Sequence, residues 1–206
     1  DAQKKINLNK KKINFFKTHS VRNIGNKYFT NEDVCLGFIY IIRDPRDVAI
    51  SYTHHCGGEL DIAIETLLYN KKNYTTRHKT NELISTWKEN LDTWNQFKNV
   101  SRLFIKYEDL LFQTEKIILD IINFINNISN IKIENSEKLI NNVLNSTNFS
   151  SLQNMEKKQG FKEATDNTPF FRRGLSNQWQ LILSKKQILL IEKELNVPMK
   201  QLGYLK

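Results

Sequence analysis

Two basic segments, far apart in the chain, combine residue types that bind anions. Arg43 is followed eight residues later by Ser51, so on a helix a guanidinium and a hydroxyl would lie about two turns apart. The second segment places Arg172 and Arg173 next to Gly174. Guanidinium groups, a hydroxyl and a glycine amide are donors that phosphate oxygens accept. Each segment predicts a phosphate site, while a capping ion pair between Arg43 and Asp47 and a basic surface loop stay open as alternatives.

A third segment, Lys17-Thr18-His19, has the residue types of a catalytic pair. In an extended segment the side chains of Lys17 and His19 point to the same side. Histidine is a general base near neutral pH, and lysine stabilises developing negative charge. Taken alone, such a pair is more typical of a surface loop, so its interpretation depends on what lies beside it.

The predicted elements place these residues at strand ends. Residues 38–42, a short apolar run rich in β-branched and aromatic side chains, predict a buried strand of a parallel sheet. After it, Asp44 suits a helix N-cap and Pro45 the first helical position. A strand followed by a helix N-terminus is a natural anion site. Residues 13–16 predict a second strand, with the lysine–histidine pair at its carboxyl end, where ligand sites of α/β sheets form.

The remaining pattern predicts an α/β protein. Apolar spacing indicates helices over residues 81–97, 110–125, 134–144 and 184–195 and a further strand over 102–107. The polar residues 70–80 and 159–171 are typical of loops. We expect a parallel sheet with helices on both faces, in three layers, within a single domain spanning residues 1–206.

The composition is that of a globular protein with excess positive charge. Of 206 residues, 39% are hydrophobic and 26% charged, and the net charge of +9 indicates an anionic partner. Cys35 and Cys56 are too few for a disulfide scaffold and form no CxxC motif, so neither a disulfide framework nor a metal site is predicted. Neither a run of about 18 apolar residues nor a signal peptide is visible, from which we predict a cytoplasmic location and no membrane partner.

The segment around Arg43 resembles a known nucleotide-binding motif. Residues 40–55 read Tyr-Ile-Ile-Arg-Asp-Pro-Arg-Asp-Val-Ala-Ile-Ser-Tyr-Thr-His-His, similar to the 3′-phosphate-binding segment of sulfotransferases that use 3′-phosphoadenosine 5′-phosphosulfate (PAPS). The resemblance implies that Arg43 and Ser51 contact the 3′-phosphate. Phe-Phe-Lys-Thr-His-Ser, at residues 15–20, resembles the same family's Lys-Thr-His segment. This implies that His19 deprotonates the acceptor hydroxyl and that Lys17 lies against the sulfuryl group.

Two later segments resemble the parts of that family that contact adenine. Tyr-Glu-Asp-Leu follows the predicted strand over 102–107, and it implies that Tyr107 lies near the adenine. A half-buried tyrosine at a strand end is the alternative for Tyr107. Thr147 and Phe149 resemble a Thr-x-Phe segment that lies against the adenine, although Thr147 also suits a helix cap.

The second basic segment resembles the family's Arg-Lys-Gly, which holds the 3′-phosphate. Arg172, Arg173 and Gly174 match it with the charge kept, and Trp179 matches a later tryptophan. The chain departs from the family at Asn177, where the family has glycine, and at the glutamines on either side of the tryptophan. Asparagine at a positive φ is costlier than glycine, although tolerated better than most residues.

One element of the family has no counterpart in residues 1–36. It is an N-terminal strand, a loop of the type Pro-Lys-Ser-Gly-Thr-Thr and a helix, which together bind the 5′-phosphosulfate. We therefore expect a P-loop-like sulfotransferase architecture that is N-terminally incomplete. We also expect these residues alone to bind nucleotide weakly and not to transfer the sulfuryl group.

The resemblance implies transfer of a sulfuryl group from PAPS to a hydroxyl or amine of a small molecule or glycan. The mechanism would be in-line displacement, with no metal and no nucleic-acid partner. Two alternatives stay open. A P-loop nucleotide kinase relative would need a Walker-type loop and Mg²⁺-binding carboxylates. A non-catalytic basic protein that binds nucleotides or polyanions would show aromatic residues interleaved with a basic stripe.

Overall fold

The structure of the protein is a computed structural model that describes residues 13–71, 74–77, 80–134, 136–164 and 168–206. The strands are β1 (Asn23–Ile24), β2 (Lys27–Tyr28), β3 (Gly37–Ile42), β4 (Tyr74–Arg77), β5 (Thr80–Leu83) and β6 (Ser101–Lys106). The helices are α1 (Pro45–Cys56), α2 (Leu60–Tyr69), α3 (Trp87–Asn95), α4 (Tyr107–Phe112), α5 (Thr114–Ile128), α6 (Glu137–Thr147), α7 (Phe149–Gln159), α8 (Trp179–Ile182), α9 (Lys185–Glu194) and α10 (Asn196–Gln201).

The centre of the fold is a parallel pair formed by β3 and β6. The register runs from Gly37 opposite Ser101 to Ile42 opposite Lys106, so the two carboxyl ends lie at one edge of the pair. Within the described ranges β3 pairs with no strand other than β6, and Ile41 is 58% exposed. The predicted strand over 38–42 and its parallel pairing are confirmed.

Helices cover both faces of this pair. The Phe38 ring lies 5.0 Å from the ring of Trp94 in α3. A Cβ at Gly37 would lie 2.9 Å from Ile128 Cδ1 and 3.1 Å from Phe124 Cζ, both in α5. Since neighbouring residues of a strand point to opposite faces, α3 and α5 lie on opposite sides. The expected three-layer α/β arrangement around a parallel sheet is confirmed.

Helix α1 begins and ends as its sequence predicts. The Asp44 carboxylate accepts a hydrogen bond from the Arg46 N–H at 2.9 Å, and Pro45 is the first helical residue. Gly57 ends the helix in the left-handed region, with φ 67° and ψ 30°. These three local devices fix the helix directly after β3, as an anion site at that edge requires.

The main core lies between α1, α2 and the C-terminal helices. Its buried members are Ala49, Ile50, Ile64, Leu67, Leu183, Ile191, Leu195 and Met199. Burying such a side chain fully contributes about 1.5–3 kcal/mol for all but the alanine, so this cluster anchors α1 firmly. No helix in the described part of the chain is long and apolar enough to cross a membrane.

The strand predicted at residues 13–16 is wrong. These residues form no regular element, and Phe15 and Phe16 are 74% and 51% exposed. A run of four residues forms a strand only beside a partner, and none of the described strands pairs with these residues. The chain is instead fixed further on, where the Val21 N–H donates to Leu83 O at 2.8 Å.

Three other boundaries differ from the predictions. Residues 70–80, predicted as loop, include β4 and the start of β5, which form an antiparallel hairpin. Helix α3 begins at Trp87, not at residue 81, because the chain first completes β5 and Thr86 then caps the helix by accepting from the Glu89 N–H at 3.1 Å. The helix predicted over 110–125 is divided into α4 and α5 at Gln113, where φ is −133°.

Candidate active site

The carboxyl ends of β3 and β6 bring Arg43 and Tyr107 together. Arg43 follows β3, Tyr107 opens α4 directly after β6, and the guanidinium carbon lies 4.4 Å from the centre of the tyrosine ring. A cation over an aromatic face is a favourable contact. The Trp87 Nε1–H donates to Arg43 O at 3.3 Å, which fixes the backbone at the same point. Tyr107 therefore contacts Arg43, and its contact with an adenine stays a prediction.

The second basic segment lies against the first. Arg43 Nη2 donates to Leu175 O at 2.8 Å, across 132 residues of sequence. Burial lowers the pKa of Arg172, and the positive charges of Arg173 and Arg43 add to the effect. The structure thus gathers the three predicted arginines into one cluster of like charge. Such a cluster is electrostatically unfavourable until an anion joins it.

Arg43 also has a buried donor, its Nε, that is unpaired within the described structure. A buried donor without an acceptor costs about 1–3 kcal/mol. Together with the like charges of Arg172 and Arg173, this donor fits a phosphate or sulfate group better than a purely structural role.

Ser51 lies in the second half of α1, three residues before His54. Burial, followed by the charges of Arg172 and Arg173, lowers the pKa of His54. Residues three apart lie on the same face of a helix, so Ser51 shares that face with His54. Ser51 itself is exposed. The three arginines lie together, and contact between Ser51 and a phosphate stays a prediction.

Gly174 has no room for a side chain. Its φ is +60°, and a Cβ there would lie 2.4 Å from Phe149 Cδ2 and 2.6 Å from Phe149 Cε2. The Phe149 ring also contacts Phe171 edge to face, with 6.4 Å between ring centroids. Phe149, predicted beside an adenine, thus packs directly on the basic segment and sets the position of its glycine.

Thr147 is the last residue of α6 and is exposed. Its hydroxyl donates to Val143 O at 2.7 Å. The alternative that it caps the next helix is wrong, because Asn148 does so by accepting from the Ser151 N–H at 2.8 Å. Contact between Thr147 and an adenine stays a prediction.

Asp47, which sequence reasoning assigned only to a capping pair, joins α1 to the second basic segment. It is 1% exposed and accepts hydrogen bonds from the Asn177 N–H at 2.7 Å and the Trp179 N–H at 3.0 Å. The Arg43 ion pair is present but longer, at 3.8 Å. Burial raises the pKa of Asp47, against the effect of these N–H groups and of Arg43. An acidic residue in a first helical turn gives no local sign of such a contact.

Asn177 lies at the position where the family has glycine. Its φ is 60°, one of two positive values among the described non-glycine residues. The loop therefore uses the left-handed region at this position, where asparagine is costlier than glycine. The N–H held by Asp47 helps to fix that conformation.

Lys17 and His19 converge on one carboxylate, as their alternation predicts. Lys17 Nζ donates to Glu163, and His19 Nε2 lies 3.9 Å from the other carboxylate oxygen. The His19 backbone is fixed by Glu82 Oε1, which accepts its N–H at 3.3 Å, and by the Asn90 side chain, which donates to its carbonyl at 3.0 Å. Sequence reasoning did not identify Glu163, since 146 residues separate it from Lys17.

Among the described residues, no group of three or more His, Cys, Asp or Glu side chains is arranged to hold a metal ion.

A family model described as "Sulfotransferase domain" matches residues 1–203. Among curated proteins, the luciferin sulfotransferase of Photinus pyralis is 25% identical over 186 residues, which cover 85% of this chain and 47% of that protein. The human sulfotransferase 1E1 is 23% identical over 156 residues, covering 69% and 48%. The chain spans about half the length of these curated relatives.

Solved structures share the fold. A crystal structure of mouse sulfotransferase SULT7A1 complexed with PAP has a TM-score of 0.62 at 21% identity, with 82% of this chain and 63% of that chain covered. Retinol dehydratase in complex with androsterone and the inactive cofactor PAP has a TM-score of 0.57 at 23% identity, with 79% and 47% covered. At these identities the likeness establishes the fold, which is P-loop-like as expected.

Proposed function

The chain belongs to the sulfotransferase family, and we propose that it transfers a sulfuryl group from PAPS to the hydroxyl or amine of an acceptor. The observation that carries the proposal is the cluster of Arg43, Arg172 and Arg173 beside a helix N-terminus. Structural relatives complexed with PAP add support. PAPS is thus the donor that this site would accept, and PAP the product that it would release.

In this proposal the 3′-phosphate lies within the arginine cluster. The guanidinium groups of Arg43, Arg172 and Arg173 and the Ser51 hydroxyl are its donors. Gly174 contributes its backbone where a side chain would collide with Phe149. Tyr107, Thr147 and Phe149 border the adenine. These residues bind and orient the nucleotide, and none of them takes part in bond breaking.

In this proposal the sulfuryl end of PAPS lies at Lys17 and His19. His19 accepts the proton of the acceptor hydroxyl while the acceptor oxygen forms its bond to sulfur. The bond between sulfur and the bridging phosphate oxygen breaks at the same time, in line with the attack. Lys17 stabilises the negative charge of the group in transit. Positioning and electrostatics carry this mechanism, as in phosphoryl transfer, and no metal ion is part of it.

The acceptor in this proposal is a small molecule. The retinol dehydratase structure, which holds androsterone, shows that a protein of this fold accommodates such a compound. The exposed Phe15 and Phe16, adjacent to Lys17, would supply apolar surface to an acceptor. The one-domain organisation over residues 1–206 and the cytoplasmic location remain predictions.

Nucleotide recognition is tested by isothermal titration calorimetry of the 206-residue chain with PAP and with AMP. Because hydrogen bonds to charged groups contribute about 1.5–3 kcal/mol each, we expect PAP to bind at least about tenfold more tightly than AMP. Equal affinities for the two nucleotides would remove the 3′-phosphate assignment.

A further inference from the structure

Glu163 lies beside both residues proposed for the chemistry. One of its carboxylate oxygens accepts from Lys17 Nζ, and the other lies 3.9 Å from His19 Nε2. The Glu163 side chain is 21% exposed, whereas those of Lys17 and His19 are 61% and 46% exposed. The acidic group is therefore the more enclosed partner, and the basic groups keep open surface toward solvent.

A carboxylate resembles the group expected at Lys17 in charge and in the bonds it accepts. Both a carboxylate and a sulfuryl group are anions whose oxygens accept hydrogen bonds from an ammonium. Two such anions on one ammonium repel each other, so each weakens the binding of the other. An exposed ion pair adds little to stability, so this contact matters more for what Lys17 binds than for the fold.

The segment that leads to Arg172 is fixed by contacts that do not involve the Glu163 side chain. Glu163 lies in a turn. Glu156 of α7 accepts the N–H groups of Phe170 and Phe171 at 2.6 and 2.9 Å, and the Phe161 ring packs on the rings of both, with centroids 4.7 and 4.9 Å apart. None of these contacts uses the Glu163 side chain, so a rotation of that side chain alone leaves the approach to Arg172 in place.

We propose that Glu163 is an internal counter-ion that an incoming sulfuryl anion must displace from Lys17. It occupies the ammonium while the donor is absent and lowers the affinity of that position for anions. The identity of the anion rests on the proposed function, whereas the charge competition itself does not. Removing the charge at position 163 should therefore strengthen anion binding at Lys17 and nowhere else.

The test is a titration of the 206-residue chain with sodium sulfate at constant ionic strength, followed by the NMR signals of the histidine rings. The chain has four histidines, which single substitutions assign. The His19 ring lies 3.9 Å from the carboxylate that Lys17 contacts and so reports on that neighbourhood, and the His54 ring, which senses Arg172 and Arg173, reports on the arginine cluster. The variants are Glu163→Gln, Lys17→Ala, their combination, and Glu137→Gln as a matched loss of one exposed carboxylate.

We expect the sulfate midpoint at His19 to fall about fivefold in Glu163→Gln, the factor that corresponds to ~1 kcal/mol for an exposed ion pair. The midpoint at His54 should not change, and Glu137→Gln should match the unmodified protein at both rings. In the Lys17→Ala background, Glu163→Gln should give no gain, because the ammonium for which the anions compete is absent.

Three results would overturn the proposal: an unchanged or weaker midpoint at His19 in Glu163→Gln, an equal gain without Lys17, or no response of His19 to sulfate in either the unmodified protein or Glu163→Gln. Failure of the proposed function would look different. In that case calorimetry would show no preference for PAP over AMP, while the sulfate competition at Lys17 could still be observed.

Discussion

Substitution of Gly174 by alanine tests how the basic segment is built. The left-handed φ of +60° costs an L-residue about 1–2 kcal/mol. The new Cβ would lie 2.4 Å from Phe149 Cδ2, so the ring must move by roughly 1 Å to reach an ordinary contact of about 3.5 Å. Overpacking of this kind costs about 1–3 kcal/mol. The two effects together predict a loss of about 2–5 kcal/mol in the free energy of unfolding.

Gly57→Ala is the matched control. Gly57 also has a positive φ, of 67°, but nothing lies within 4 Å of a Cβ there. It should therefore lose only the conformational part, about 1–2 kcal/mol. Urea unfolding measures both losses, and calorimetry with PAP measures binding, which we expect to fall at least about tenfold in Gly174→Ala because the shifted loop carries two of the arginines.

Equal destabilisation by the two alanine variants, with unchanged PAP affinity in Gly174→Ala, would refute this reasoning. It would mean that Phe149 yields without cost, or that the segment plays no part in binding the nucleotide.

Three further substitutions have defined outcomes. Asp47→Ala leaves the Asn177 and Trp179 N–H groups without their acceptor and should lower the free energy of unfolding by about 2–6 kcal/mol. Asp47→Asn keeps one acceptor and should lower it by about half as much. Urea titrations that show equal losses for the two variants would contradict this. Asn177→Gly should raise that free energy by up to about 1 kcal/mol, since glycine adopts a φ of 60° freely, and a lower melting temperature would speak against it. In a form of the protein that turns over PAPS, His19→Ala should reduce kcat by roughly 10²–10⁴-fold with PAP affinity retained, and near-normal turnover would exclude His19 as the base.

The sequence predicts best where the cause is local. The run over 38–42, the Asp44 cap and Pro45 lie side by side, and the chain folds there as they indicate. The glycine at position 57 ends the helix for an equally local reason. The basic residues were recognisable by type and spacing, and the fold gathers Arg43 with Arg172 and Arg173 although the segments are far apart.

Prediction from sequence fails where a contact depends on residues that are far apart in the chain. A strand at 13–16 needs a pairing partner, which its own residues do not reveal. Asp47 reaches Asn177 across 130 residues, and Lys17 reaches Glu163 across 146. The sequence around each carboxylate gives no sign of its partner, so only the folded structure identifies the two contacts. The break at Gln113 falls in a polar run over residues 113–116, and a run of this length also suits the solvent face of one continuous helix.

The central claim is that Arg43 binds the 3′-phosphate, and a thermodynamic cycle tests it most directly. Calorimetry compares PAP and AMP on the unmodified protein, on Arg43→Ala, and on Arg102→Ala, a control of equal charge change at the opposite end of the β3–β6 pair. We predict that Arg43→Ala weakens the binding of PAP by about 1.5–3 kcal/mol and leaves the binding of AMP unchanged, which abolishes most of the preference for PAP over AMP. Arg102→Ala should preserve that preference. Equal weakening of both nucleotides, or of neither, in Arg43→Ala would contradict the claim.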